Sequence, residues 1–138
     1  MSTYPEVVNP ATAELLRAAR LVFIVCEPEL TSLKVVRLRR TALESCGVAA
    51  EKICVLGNRW ESHRLKREDI ARAAGAPMIA ALPNDYEQVK NAALESRLVL
   101  QDSPFGRACI DLARRLAAMP ETPQAGSVAG LLRRFIKT

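Results

Sequence analysis

ICVLGNR, at residues 53–59, has the pattern of a strand that is buried on both faces and ends in a polar turn. Its first four residues are apolar, and short runs of this kind with β-branched residues are typical of parallel sheets. Ligands bind at the carboxyl ends of strands in open α/β sheets. Asn58 therefore stands where an amide can hydrogen-bond a ligand, and Arg59 where a guanidinium can meet an anion. A plain turn at Gly57-Asn58 is the alternative interpretation.

Two further apolar runs continue this pattern along the chain. Leu21–Cys26 (LVFIVC) and Pro77–Leu82 (PMIAAL) predict strands, and Arg97–Leu100 is a candidate short edge strand. Helical segments separate these runs, which is the βαβ arrangement of a parallel sheet with right-handed crossovers. The sequence therefore predicts an α/β fold in three layers, with a mostly parallel sheet of three to four strands flanked by helices.

The helices are predicted from apolar spacing and from the signals at their ends. Asn9-Pro10 and Ser103-Pro104 each place a capping side chain before a proline, and Thr31 or Ser32 can cap the second helix. Asp85 and Gln88 form a candidate capping box. The expected helices cover about residues 10–19, 31–46, 67–74, 85–95 and 103–120.

A polar loop follows each of the three main strands. These loops are Glu27-Pro28, Asn58-Arg59 and Pro83-Asn84-Asp85. Because parallel strands end at the same edge of a sheet, the three loops should lie side by side. That common edge is the best position for a binding site.

Composition and charge limit the classes of function. The 138 residues are 49% hydrophobic but only 4% aromatic, which suits one domain with an aliphatic core. The net charge of +5 and the pI of about 9.3 permit an anionic partner without requiring one. No apolar run is long enough to span a bilayer, and the polar segment Ser2–Pro10 gives no sign of a secretory signal.

The cysteines and the one histidine give no sign of a metal site. Cys26, Cys46, Cys54 and Cys109 form no C-x-x-C pair, and they are expected to be buried thiols in a reducing cytoplasm. His63 has no second histidine nearby and is expected at the surface. We therefore predict neither metal ligands nor disulfides.

The C-terminal residues differ from the rest of the chain. Residues 1–120 form the predicted α/β domain, 121–127 has the composition of a linker, and 128–138 predicts a basic amphipathic helix. Either this helix binds a membrane surface or a protein partner, or its apolar stripe packs on its own domain. The stripe comprises Val128, Leu131, Leu132, Phe135 and Ile136, and the basic side comprises Arg133, Arg134 and Lys137.

Four motifs in order resemble the C-terminal half of the MinD/ParA superfamily, the deviant Walker P-loop ATPases. They are EPELTSLK after a buried strand, VLGNR, REDIARAAG and LPNDYEQV, and the resemblance covers roughly residues 10–118. The chain is most similar to the CpaE-like branch, which serves pilus assembly and localisation. The resemblance implies a partial P-loop NTPase-like fold, and ATP or ADP as cofactor in the full-length context.

The resemblance also implies roles for particular residues. In the family, the Asn of the Asn-Arg pair reads the adenine ring, and a proline-bearing loop after the next strand flanks that ring. The matching positions here are Asn58, Arg59, Pro83 and Asn84. MinD-type proteins also end in a short basic helix that docks on anionic membranes, which implies that residues 131–137 hold a cytoplasmic protein at the inner membrane face.

The phosphate-binding half of the family is not recognisable. A P-loop needs glycines for close backbone approach and a lysine for the phosphates. This sequence has only six glycines, none of them clustered, and no Gly-Lys dipeptide. No residues that would hold Mg²⁺ for phosphoryl transfer are identified either. We therefore expect no catalysis by this chain alone, no catalytic residue within it and no tightly bound nucleotide.

Three functions remain open at this point. The first is a pilus-assembly or localisation ATPase of which this chain is the adenine-binding half, and a fragment is preferred over a shortened relative. The second is a protein- or membrane-interaction module without ATP use. The third is a ParA-like partition protein that binds DNA non-specifically, through basic residues scattered over the helices.

A partner is expected at the first strand. In the family, the strand that carries the P-loop lies beside the strand that Leu21–Cys26 matches. An unpaired apolar edge invites pairing with another chain. The resemblance therefore implies self-association, or pairing with the missing N-terminal half.

Overall fold

A computed structural model describes residues 9–61 and 65–119 of the chain. These residues form five α-helices, three strands and a 3₁₀ turn at Ala50–Lys52. The helices are α1 (Pro10–Ala18), α2 (Leu30–Ser45), α3 (Arg67–Ala74), α4 (Tyr86–Leu94) and α5 (Pro104–Ala117), and the strands are β1 (Val22–Cys26), β2 (Ile53–Trp60) and β3 (Met78–Pro83).

The three strands form one parallel sheet in the order β1-β2-β3. β1 pairs with β2 in continuous register, from Val22 opposite Ile53 to Cys26 opposite Gly57. Ile53, Cys54 and Val55 are fully buried, as expected for a central strand that is covered on both faces. The predicted α/β fold with a parallel sheet and flanking helices is confirmed.

The candidate edge strand at residues 97–100 was a wrong prediction. The sheet of the described residues has three strands, and none of them includes this segment. After α4, Ser96 takes a positive φ of 50° and the Arg97 N–H donates to the Ala92 carbonyl, so the chain turns tightly around the end of the helix. Leu98 is 90% exposed, because the turn leaves it no sheet to pack against.

The sheet separates two hydrophobic clusters. On one face, α2 packs against β1 and α3 against β3, with Leu16 of α1 at the margin. On the other face, α5 packs against β3, and Met119 lies with Cys54 and Ile79. Alternate residues of β1 and β2 supply the two sides, which is the period-two pattern of a strand buried on both faces. In β3 the neighbours Ile79 and Ala80 lie on the same side, next to a register shift against β2.

The helix ends agree with the predicted caps at two of four places. Asn9 accepts a hydrogen bond from the Ala11 N–H at 2.9 Å, and Ser103 accepts one from the Gly106 N–H at 3.0 Å. α2 begins at Leu30, before the predicted Thr31 or Ser32 cap, and its N-cap Glu29 has no capping side-chain bond.

The predicted capping box at Asp85 is absent. Asp85 is the N-cap of α4, but its side chain makes no capping bond to that helix. Instead, its carboxylate accepts a hydrogen bond from the Phe105 N–H at 3.4 Å. The contact therefore joins the start of α4 to the start of α5, a tertiary role that a local motif does not indicate.

The linker at 121–127 and the helix at 128–138 lie outside the described residues, as does His63. Within the described part of the chain, no helix is long and apolar enough to cross a membrane. The same residues contain no cluster of three or more His, Cys, Asp or Glu side chains that could hold a metal ion.

Candidate functional site

The carboxyl ends of the three strands lie side by side, and a β-bulge shapes the middle one. Gly57 of β2 pairs with Ala81, but Trp60 pairs with Pro83, so the register shifts between the two pairs. β2 therefore carries one extra residue at Asn58-Arg59. Bulges of this kind redirect side chains and are common next to functional sites.

The backbone at this bulge is unusual in two respects. Arg59 has a φ of 49°, in the left-handed region that non-glycine residues rarely adopt. Gly57 is closely covered, because a Cβ atom there would clash with the Cε atom of Met78 and would lie 3.0 Å from the Trp60 ring. Glycine at position 57 thus lets the neighbouring side chains close over the strand just before the chain turns.

Arg59 reaches across to the end of β1. Its Nη1 atom lies 3.3 Å from the Glu27 Oε1 atom, and the two side chains are 65% and 41% exposed. An ion pair this open to solvent contributes about 0–1 kcal/mol. Its main consequence is geometric, because it joins the loops after β1 and β2. The Arg59 guanidinium, predicted from the sequence to bind an anionic ligand, contacts the Glu27 carboxylate of the protein itself.

A cavity of about 320 Å³ opens beside this ion pair, between the end of β1 and α2. Its lining combines apolar residues such as Ile24 and Val36 with polar residues that include Asn58. Ligand sites usually combine apolar walls with a few hydrogen-bonding groups in this way. The full lining is Ile24, Val25, Cys26, Glu27, Thr31, Ser32, Val35, Val36, Arg39 and Asn58.

The loop after β3 joins the same edge. The Asn84 N–H donates to the Trp60 carbonyl at 3.2 Å, and its side-chain amide donates to Glu61 Oε1 at 2.9 Å. Pro83 stands opposite Trp60 in the β2–β3 register. The structure thus brings Asn58, Arg59, Pro83 and Asn84 to one sheet edge, with the Asn84 amide already bonded within the protein.

Three polar cavity residues of α2 were not identified as site residues from the sequence. Thr31 and Ser32 were interpreted as helix caps, and Arg39 was assigned no site role. They line the cavity because α2 begins at Leu30 and then crosses the end of β1. Helical spacing alone shows which residues share a face, but not which part of that face meets the strand end.

The cysteines confirm the prediction of inert buried thiols in part. Cys26 and Cys54 are buried, whereas Cys46 and Cys109 are half-buried. Burial raises the pKa of Cys54 to about 12 and raises the pKa of Cys26 as well. Both thiols are therefore neutral at physiological pH, and the one at the cavity, Cys26, is not an activated nucleophile.

Comparison with solved structures places this fold among known ones. MinD, a cell division protein of Aquifex aeolicus, aligns with a TM-score of 0.67 and 23% identity, over 79% of this chain and 48% of MinD. A chain of the MinC:MinD cell division complex from the same organism aligns with a TM-score of 0.65 and 25% identity, over 77% of this chain and 46% of that one. A ParA family ATPase from Chlorobium tepidum TLS aligns with a TM-score of 0.63 and 22% identity, over 79% of this chain and 46% of the ATPase. The fold is that of MinD and ParA family ATPases.

The chain spans about half the length of each of these structures. No protein-family model and no curated protein matches it. The resemblance to the MinD/ParA superfamily is therefore confirmed at the level of fold. The CpaE-like branch and the adenine-binding role of the edge stay predictions, and the stripe at residues 128–136 lies outside the described residues.

Proposed function

We propose that this chain belongs to a MinD/ParA-type nucleotide-binding protein and supplies the sheet edge that contacts the adenine ring. The observation that carries the proposal is that Asn58, at the β2 bulge, lines a cavity at the carboxyl edge of a MinD-like sheet. A carboxamide offers one acceptor and two donor hydrogens. It can therefore pair with the amino group and a ring nitrogen of adenine at once.

The neighbouring residues have supporting roles in this proposal. Pro83 offers an apolar flank for the ring, and Arg59 is held beside the site by its ion pair with Glu27. The sequence has no P-loop lysine for the phosphates. Binding by this chain alone should therefore be weak, and hydrolysis needs phosphate- and Mg²⁺-binding groups from outside it.

Titration of the chain with ADP tests the adenine site. We expect weak binding, seen as amide chemical-shift changes at the carboxyl ends of the three strands and at the start of α2, where the cavity lies. Asn58→Ala should weaken it about thirtyfold, since it removes two hydrogen bonds that are worth about 1 kcal/mol each. Asn91→Ala, at an exposed position of α4, is the matched control. Equal affinity of the Asn58 variant and the unchanged chain would contradict the adenine site. ATP hydrolysis by the chain alone, abolished by Asn58→Ala, would instead contradict the expected lack of catalysis.

The cellular role that we propose is pilus assembly or localisation, in the cytoplasm. Its support is the resemblance of the motif series to CpaE-like proteins. A fluorescent fusion should concentrate where pili are assembled. An even distribution that is the same in piliated and non-piliated cells would contradict this role.

A protein-interaction module is the second candidate function, and the bare edge of β1 favours it. Within the described residues, β1 has β2 on one side and no strand on the other. Its Val25 is 52% exposed. A strand edge of this kind is a ready site for pairing with another chain, which is compatible with nucleotide binding at the strand ends.

DNA binding is the least supported of the three functions. Several arginines of the predicted basic face are engaged within the protein. Arg115 donates to the Ile79 carbonyl at 3.0 Å, and Arg72 and Arg114 lie 3.6 Å and 3.8 Å from aspartates one turn away. A DNA affinity that falls steeply with salt concentration would reverse this ranking.

A further inference from the structure

The two faces of the sheet are covered unequally. On one face, α2 and α3 together cover the strands. On the other face, α5 is the helix that packs extensively against the sheet, among residues 9–61 and 65–119, and it lies on β3. One helix is about 10 Å wide, whereas three strands at about 4.8 Å spacing need more cover than that.

The uncovered part of this second face lies over β1. Val25 is 52% exposed there, and its neighbours Phe23 and Leu56 are half-buried at the margin of the cluster around Cys54 and Ile79. Val25 and Leu56 stand opposite each other in the β1–β2 register. We call Phe23, Val25 and Leu56 the β1 face. Parallel sheets normally have both faces covered, so this apolar surface needs an occupant.

The direction of α5 shows where the rest of the chain starts. α5 begins at the carboxyl edge of the sheet, where the Phe105 N–H meets Asp85. It ends at the opposite edge, where Arg20 donates to the Met119 carbonyl at 2.7 Å and to the Leu116 carbonyl at 3.4 Å. Arg20 lies just before β1. The residues that follow Met119 therefore start next to the uncovered strand.

We propose that the C-terminal stripe packs on the β1 face, antiparallel to α5. As a helix, residues 128–138 would be about 16 Å long, and β1 with its five residues is also about 16 Å long. The seven-residue linker at 121–127 can span up to about 24 Å, which is more than a helix hairpin needs. The stripe residues are Val128, Leu131, Leu132, Phe135 and Ile136.

This arrangement decides between the two interpretations that the sequence left open. The apolar side chains of the stripe cover Val25, while Arg133, Arg134 and Lys137 remain in water. The backbone edge of β1 and the cavity on the α2 side stay accessible. The proposal is therefore independent of adenine binding, and either can fail without the other.

Thiol accessibility of a Val25→Cys variant of the full chain provides the test. Modification by a maleimide is followed by peptide mass spectrometry, so that the four native cysteines are scored separately. We expect position 25 to react at least tenfold more slowly than in the same chain carrying Phe135→Glu. Leu132→Glu serves as a second disrupting variant if Phe135→Glu does not fold. Leu15→Cys, at a 72% exposed position of α1, is the control and should react equally in all of them.

If something other than the C-terminal stripe covers the β1 face, the reactivity of position 25 follows a different pattern. Equal reactivity at position 25 with and without Phe135→Glu overturns the proposal. Protection that appears only at high protein concentration assigns the face to a second copy and overturns it as well. Protection that needs acidic vesicles means that the stripe acts at a membrane, which also contradicts packing on its own domain.

Discussion

At the scale of single residues, Gly57 determines the geometry of the candidate site. Its missing side chain leaves room for Met78, which is 1% exposed, and for the Trp60 ring. Directly after it, the chain takes the positive φ of Arg59 and the bulge that carries Asn58. The close packing of Met78 and Trp60 therefore depends on a glycine that stands just before the bulge.

Gly57→Ala should destabilise the protein by about 1–3 kcal/mol, because a new methyl group forces the buried Met78 side chain to repack. Thermal or denaturant unfolding measures the loss. The cost should be smaller in a Met78→Ala background, where the clashing Cε atom is gone, and a double-mutant cycle gives the coupling. A cost that is the same in both backgrounds would mean that the strain lies in the backbone and not in this contact.

At the scale of elements, the two caps with side-chain bonds differ in their surroundings. Ser103 is 7% exposed; its hydroxyl accepts from the Gly106 N–H at 3.0 Å and donates to the Leu100 carbonyl at 2.7 Å. Asn9 is exposed and accepts one hydrogen bond at 2.9 Å. The same local signal therefore starts one helix inside the fold and one at its surface.

Ser103→Ala should cost about 1–2 kcal/mol in unfolding free energy, because it removes a cap and takes the hydroxyl partner from the buried Gly106 N–H. Asn9→Ala, the matched control, should cost less, about 0.5–1 kcal/mol, since water can replace its bond. Chemical denaturation of the two variants checks the order. A larger loss for Asn9→Ala would show that the start of α1 is more important to the fold than its exposure indicates.

At the scale of the whole molecule, the feature with the largest consequence is the edge of β1, which has no strand beside it among residues 9–61 and 65–119. All five of its residues are apolar, and none is a charge or proline that would discourage pairing. We expect association that increases with protein concentration, measured by sedimentation velocity, together with slower amide exchange at residues 22–26. Val25→Lys should reduce it, whereas Leu30→Lys, at a 72% exposed position of α2, should not. A chain that stays monomeric at every protein concentration measured would contradict edge pairing.

Local sequence patterns were sufficient for the three strands of the sheet, for the order of elements and for the common edge, but not for excluding a strand at residues 97–100. Each of the three apolar runs matches a strand to within one residue at either end: LVFIVC, ICVLGNR and PMIAAL. A short, continuous apolar run between helices is most stable as a strand in the middle of the fold, where both of its faces are buried. The loops with Asn58 and Asn84 lie together for the same reason, because parallel strands end at one edge. These features depend on periodicity and chain direction, which are properties of the sequence alone.

Tertiary packing decided the rest. The bulge depends on how Met78 and Trp60 pack around Gly57, and the cavity depends on where α2 crosses the end of β1. The Asp85 carboxylate bonds to Phe105, twenty residues away, and not to its own helix. Each of these contacts joins residues that are distant in sequence. No local propensity encodes such contacts, because their energy exists only after the elements have packed.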